Sequence, residues 1–287
     1  MLIDLHAHSS ASDGTDTPAE LVGAASSAGL DVVALTDHDT LRGWDEARAA
    51  AAATGVRLVP GVEMSCALDG ISLHVLGYLP DPTYEPLVNE LARTKEDRVP
   101  RAREMVRRLA ADGYPLTWDD VLAQVGFEGT VGRPHIADAL VAAGSVASRN
   151  EAFAGLLHDR SRYYVRHYAS DPVVALRLIR EAGGVSVFAH PGASRRGRTV
   201  TDDAIATMAR AGLSGLEVDH PDQDEPTRIH LRGLAKDLGL LATGSSDYHG
   251  EGKSTRLGQE TTSPEVYEAL LAGVSSSTPT WTKGPDR

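Results

Sequence analysis

The chain has 287 residues, 41% hydrophobic and 24% charged, with 40 Asp/Glu against 28 Lys/Arg and a net charge of −12. That length suits one large α/β domain, or a domain carrying an insertion, and the acidic balance excludes a protein that coats long nucleic acid through a broad basic face. No apolar run approaches the roughly 20 residues of a membrane span, and the opening residues lack the basic start and apolar core of a signal peptide, so a cytoplasmic protein is expected. Cys66 is the one cysteine, which leaves nitrogen and oxygen to hold any metal.

Met1 to Leu5 reads as a short apolar strand, and in an extended chain residues two apart project to one side, so His6 and His8 can aim at a common point. Asp13 follows in a Ser/Gly-rich turn able to fold its carboxylate back toward them. Thr17-Pro18-Ala19-Glu20 is a helix start in which Thr17 caps, Pro18 fits the first turn and Glu20 completes a capping box. That helix runs to about Gly29. The apolar run from Asp31 to Leu35 predicts a buried parallel strand ending at Thr36-Asp37-His38-Asp39. An Ala-rich helix covers Leu41 to about Thr54. Val56 to Val62 predicts a strand ending at Glu63, and Ile71 to Leu76 a strand carrying His74.

From about Leu91 to Tyr168 the alternation stops, and helical stretches at 101–111, 118–124, 135–143 and 151–157 are joined by Gly and Pro. An inserted helical subdomain, 91–168, is therefore expected within a barrel domain of 1–90 and 169–274. Residues 93–168 carry 12 Lys/Arg against 10 Asp/Glu, and the rest 16 against 30, so a mildly basic segment faces an acidic body. Such a segment could draw a small anionic substrate toward a metal-filled site, although uneven charge is also common by chance. Alternation then resumes: a helix from Asp171, a strand 184–188 delivering His190, a helix 202–211, a strand 215–218 followed by Asp219 and His220, a helix 225–238, and a strand 240–243 ending at Asp247 and His249. Ser275 to Arg287, rich in Ser, Thr, Pro and Gly, reads as a loose tail in which Trp281 could dock.

Ligand-type residues thus follow the strands, and in an α/β barrel the strand ends converge on one mouth. The candidates are His6, His8, Asp13, His38, Glu63, His74, His190, Asp247 and His249. Any one of them alone is more often an ordinary core or surface residue. Nine together are the imidazole and carboxylate set of catalytic divalent metals, and exceed the needs of one ion.

These residues resemble the PHP (polymerase and histidinol phosphatase) superfamily of metal-dependent phosphoesterases. The likeness lies in His6-Ala7-His8 with Asp13, in Thr36-Asp37-His38-Asp39, in Ala189-His190-Pro191 and in Ser246-Asp247-Tyr248-His249, with Glu63 and His74 between. It implies a distorted seven-stranded (β/α) barrel and two to three divalent metals, Mn foremost, with Zn or Fe as alternatives. Carried over, His6, His8, Glu63 and Asp247 hold a first metal; Glu63, His74 and His190 a second; Asp13, His38 and His249 a third. Gly132-Arg133-Pro134-His135 within the insertion resembles the subgroup acting on nucleoside 3′,5′-bisphosphates and on 5′ ends of short RNA. There Arg133 and His135 would grip a phosphate at a helix start, with Arg196, in the Arg195 to Arg198 loop, reaching from the rim. A surface ion pair and a capped helix is the plainer reading of that motif.

The expected chemistry is in-line attack on phosphorus by a metal-bridging hydroxide, with Asp13 and Glu63 as catalytic ligands. His220 either donates a proton to the leaving oxygen or supports a ligand. Asp4, Asp37 and Asp219 are expected to orient ligand imidazoles. The alternatives are a histidinol-phosphate or other small phosphomonoesterase, a non-catalytic nucleotide-binding module, and an amidohydrolase on the same metals.

Overall fold

The structure, a computed structural model, describes residues 1–125, 131–166, 168–194 and 197–281. Seven strands form one sheet in chain order: β1 (Ile3–Asp4), β2 (Val32–Leu35), β3 (Arg57–Leu68), β4 (Ile71–Tyr78), β5 (Val185–Ala189), β6 (Gly215–Asp219) and β7 (Leu241–Gly244). The pairs β1–β2, β2–β3, β5–β6 and β6–β7 are parallel, whereas β4 runs antiparallel to both neighbours. The two edges meet beyond their strands, where Ala7 bridges Tyr248 and His8 N–H donates to Tyr248 O at 2.8 Å, so the sheet nearly closes into a barrel.

The parallel strands β2 and β5 are buried along their whole length, as strands covered on both faces must be. Helices α1 (Pro18–Ser27), α2 (Trp44–Thr54), α7 (Pro172–Glu181), α8 (Asp202–Arg210), α9 (Glu225–Leu238) and α10 (Pro264–Ala272) accompany the barrel strands. Thr17 closes the expected capping box with Glu20.

Two elements depart from the sequence reading. β3 does not stop near Glu63 but continues to Leu68 and turns back through Asp69-Gly70. Both turn residues have positive φ, 49° and 73°, the conformation of a two-residue hairpin loop that Asp-Gly favours. Glu63 and His74 therefore lie inside a long hairpin, not at strand ends. The second departure is α3 (Glu85–Ala111), one 27-residue helix running through Pro100. Proline removes a helical hydrogen bond and crowds the preceding turn, which is why the sequence suggests a start at Arg101. Burial at both ends holds the helix together: Leu87 and Leu91 pack in a barrel cluster, Met105 and Leu109 in a separate one.

That separate cluster joins α3 to α4 (Trp118–Leu122), α5 (Arg133–Ala142) and α6 (Arg149–Ala154) through Val121, Ile136, Leu140 and Ala152. These helices stand over the hairpin side of the barrel mouth, where Arg98 of α3 reaches Asp39 and Ser65. At the chain's other end, Trp281 pairs with Leu58 in both directions at 2.6 and 2.9 Å and lies under Arg48. Residues 275–281 of the expected loose tail are thus packed against the barrel.

Candidate metal centre

His6 and His8 leave β1 with their Nε2 atoms 3.0 Å apart. Glu63 Oε2 lies 3.2 and 3.0 Å from these two nitrogens, and Asp247 Oδ1 lies 3.4 Å from each. Four donor atoms from three separate parts of the chain therefore surround one point. The other Glu63 oxygen, Oε1, is 2.8 Å from His74 Nδ1 and 3.1 Å from His190 Nε2. On the far side, Asp13 Oδ1 is 3.4 Å from His249 Nε2 and 3.6 Å from His8 Nδ1, and Asp13 Oδ2 is 3.8 Å from His38 Nε2. The structure brings all nine sequence-derived ligands into one cluster. The partition differs in detail: His38 groups with Glu63 and His74 as well as with Asp13 and His249, and His190 groups with His6 and Asp247.

Local structure explains the convergence. A Cβ at Gly14 would lie 2.3 Å from His8 O, so only glycine lets the turn fold Asp13 back over the imidazoles. Asp39, His190 and Asp247 adopt left-handed backbone with φ of 52°, 34° and 52°, a conformation unusual outside glycine that persists where the surroundings impose it. His190 N–H donates to Glu217 Oε2 at 2.8 Å, Ser65 N–H donates to Asp39 Oδ1 at 2.8 Å, and His249 Nδ1 is 2.9 Å from Asp247 O.

The donor set suits divalent cations. His38 Nδ1 and His74 Nδ1 are buried and make no hydrogen bond, although Glu63 oxygens lie 3.3 and 2.8 Å away. A ring nitrogen facing a carboxylate off the hydrogen-bonding direction is satisfied by a cation between them. Burial alone would raise the Glu63 and Asp13 carboxyl pKa values. Neighbouring imidazoles, chiefly His38 and His74 for Glu63 and His249 and His38 for Asp13, instead hold both well below the usual range. Burial opposes charge on His6 and His8 too, yet the carboxylates around them win, raising His6 well above its ordinary value and His8 to about 9. For His38 and His249 burial prevails, and His249 falls to about 4.

The residue that orients the ligands is Glu217 in β6, fully buried, with Oε1 2.9 Å from His6 Nδ1 and Oε2 on the His190 amide. Asp4, Asp37 and Asp219 do other work. Asp4 accepts from the Ser246 and Gly258 amides, Asp37 from Ser9 and Ser12 in the turn before Asp13, and Asp219 from Arg232. A charge set between the apolar Leu216 and Val218 was the available signal for Glu217. His220 accepts the Asp222 amide at Nδ1, 3.0 Å, which leaves its proton on Nε2, 3.3 Å from Asp247 Oδ2.

Arg133 and His135 open α5 but face different spaces. Arg133 lines a cavity with His74, His190, Asp159, Tyr164 and Arg198, while His135 lines a groove with Ser10, Gly14, Thr15, Asp138 and Arg149. His135 Nδ1 accepts the Gly132 amide at 3.0 Å, which fixes Nε2–H as a donor. Arg195 and Arg196 lie outside the described residues. The sequence reading missed Arg98 and Arg101, one helical turn apart on α3. Arg98 pairs with Asp39; Arg101 donates to Val165 O at 2.9 Å and lies 5.2 Å from the Tyr164 ring centre, which Arg133 approaches at 5.4 Å. Burial pulls Arg133 down, and burial together with the Arg133 charge pulls Arg101 to about 9. Among the described residues neither has a carboxylate ion pair.

The PHP domain family matches residues 4–143, and a 5′-3′ exoribonuclease of Haemophilus influenzae is 35% identical over 246 residues, 86% of this chain and 89% of that protein. This chain belongs to the PHP family. A 3′,5′-nucleoside bisphosphate phosphatase of Chromobacterium violaceum is 35% identical over 258 residues, 88% of this chain and 89% of that protein. A solved structure from Bifidobacterium adolescentis, provisionally designated a metal-dependent phosphoesterase, superposes with a TM-score of 0.91 at 40% identity over 96% of this chain and 97% of its own. This PHP protein is accordingly a metal-dependent hydrolase of phosphoric esters. Among the described residues no helix is long and apolar enough to cross a membrane.

Proposed function

We propose that this PHP enzyme removes the 3′-phosphate from nucleoside 3′,5′-bisphosphates and also trims short RNA from the 5′ end, acting on small anionic substrates in the cytoplasm. The observation that carries this reading is the pair of guanidinium groups against Tyr164, Arg101 buried and Arg133 half-buried. Arg133 opens on the same cavity as His74 and His190. Arg101 donates to Val165 O and Arg133 to Leu157 O, neutral partners that leave both charges uncompensated, and a second phosphate on the substrate would supply the anion while one phosphate reacts. The names of the Haemophilus and Chromobacterium relatives point the same way.

Two to three divalent ions, Mn foremost, belong with His6, His8, Glu63 and Asp247, with Glu63, His74 and His190, and with Asp13, His38 and His249. When bound they neutralise phosphate oxygens and lower the pKa of a nucleophilic water. The protein's own part is arrangement. Glu63 turns one oxygen to His6 and His8 and the other to His74 and His190, so it ties two ligand groups into one unit. Asp13 joins the His249 side to the rest. Arg133 and Arg101 hold the non-reacting phosphate, and binding energy spent there positions the reacting one. His135 adds a fixed N–H donor from the groove side. His220 keeps Asp247 in place, because both of its ring nitrogens are already engaged. The helices within 91–168 act as a cap on a barrel of 1–90 and 169–274.

The test is a substrate panel with the metal-loaded protein: 3′,5′-bisphosphates, mononucleotides, histidinol phosphate and short 5′-phosphorylated RNAs. The highest kcat/KM is expected on bisphosphates. A preference for histidinol phosphate, or equal rates on mono- and bisphosphates, would overturn the reading.

A further inference from the structure

Asp247 divides its carboxylate between two tasks. Oδ1 faces His6 and His8 at 3.4 Å, within the metal centre. Oδ2 points away, 3.3 Å from His220 Nε2 and 2.8 Å from Lys253 Nζ. Lys253 arrives from a short turn, Gly250–Gly252, pinned to the Asp13 side of the mouth. The Glu251 amide donates to Thr15 Oγ1 at 2.9 Å, and a Cβ at Gly250, whose φ is 66°, would lie 2.0 Å from that same oxygen. The hydrogen bond to Thr15, with Gly250 packed close against the same oxygen, ties the turn down and keeps Lys253 beside Asp247.

An ion pair that served only to hold Asp247 would be a poor explanation for this lysine. His220 already donates to Oδ2, and its tautomer is fixed by the Asp222 amide, so the outer oxygen has a partner without Lys253. The Asp247 side chain is buried, 2% exposed, while Lys253 is 28% exposed, so the ammonium keeps a side free of the carboxylate. Beside divalent ions a fixed positive charge is unfavourable, since like charges at short range repel and the site's affinity for cations falls. An ammonium placed there gains only when an anion arrives. An ester held by ions among these ligands would bring its oxygens near Asp247, within the sweep of the flexible lysine stem.

We propose that Lys253 is a catalytic residue whose ammonium binds a non-bridging oxygen of the phosphate being hydrolysed. This rests on the phosphoesterase reading above and adds a group to it. Lys253 forms no covalent bond: the oxygen of water bonds to phosphorus, the ester P–O bond breaks, and the leaving oxygen takes up a proton. The ammonium keeps its own protons and stabilises charge on the oxygen that stays. Unlike Arg133, it contacts the phosphate common to every substrate.

The experiment compares wild type, Lys253→Met and Lys253→Arg as full-length, Mn-loaded proteins. It reads Mn affinity by chelator competition, inhibition by inorganic phosphate, and kcat/KM on an aryl phosphate and a 3′,5′-bisphosphate. Lys253→Met should bind Mn as tightly as wild type or more tightly, should resist phosphate inhibition about tenfold or more, and should lose about one to two orders of magnitude in kcat/KM, equally on both esters. Lys253→Arg should recover part of each loss. Easier loss of Mn with unchanged phosphate inhibition would make Lys253 a support for Asp247 and overturn the proposal, as would a variant unchanged in every readout. A loaded wild type that hydrolyses neither ester would remove the parent reading and this proposal with it.

Discussion

Glu217→Gln changes one atom at the centre of the ligand scaffold and should uncouple metal binding from folding. The carboxylate accepts twice, from His6 on Oε1 at 2.9 Å and from the His190 amide on Oε2 at 2.8 Å, and it is fully buried. A glutamine of the same shape offers one acceptor and one NH2 group. If its oxygen stays on the His190 amide, its NH2 faces His6 Nδ1, which then accepts, and the imidazole proton moves to Nε2, the nitrogen that points at His8 and Glu63. If the amide flips, His6 keeps its tautomer and two N–H groups confront each other at His190. The flipped arrangement leaves a buried polar group badly paired, at about 1–3 kcal/mol, and the first arrangement puts a proton on the metal-binding nitrogen. Changes to such supporting carboxylates typically cost about 10–100-fold in metal affinity. Chelator competition gives the affinity, and thermal unfolding with and without metal gives the stability. Equal metal affinity in Glu217→Gln and wild type would refute the claim that this carboxylate sets the His6 tautomer.

Other outcomes follow from the same geometry. Glu63→Ala should abolish hydrolysis with the fold retained, more completely than Asp13→Ala or Asp247→Asn, because Glu63 touches both ligand groups; turnover assays beside circular dichroism check this. Arg133→Ala should lower kcat/KM on 3′,5′-bisphosphates by about one to two orders of magnitude and leave an aryl phosphate nearly unchanged, whereas equal losses on both would make Arg133 a structural residue. Metal loading at pH 7 should release protons, because His6 and His8 have raised pKa values, His8 to about 9, and must lose protons before they ligate. Metal affinity should therefore rise with pH from 7 at least to about 9, the value for His8, and pH-stat titration of the metal-free protein measures the release directly.

The sequence exposes the ligands because strand period and strand-end position are local properties. His6 and His8 are paired by a two-residue spacing, and His38 and His190 each follow a run of apolar residues that reads as a buried strand, while Asp247 lies three residues beyond a shorter one, Leu241–Gly244. The extent of β3 was not legible from hydrophobicity, since Met64 to Leu68 form a strand only through pairing with β4, although Asp69-Gly70 marks the turn. Glu217 illustrates a different limit. A single glutamate in a strand looks like an outward-facing residue until the register shows that it faces His6. Arg101 and Arg133 are 32 positions apart, and their meeting at Tyr164 depends on how α3 packs against α5, a tertiary contact with no periodic trace in the chain. The same holds for Arg133 and His135, which are two positions apart in sequence but line different spaces.

The central claim, that nine side chains form one metal centre with Glu63 shared, is tested most directly by anomalous diffraction from crystals loaded with Mn. Mn peaks are expected enclosed by His6, His8, Asp13, His38, Glu63, His74, His190, Asp247 and His249, with Glu63 oxygens within bonding distance of two of them. Peaks elsewhere on the protein, or a loaded centre in which Glu63 binds no metal or His190 and Asp247 stand beyond ligand reach, would contradict it.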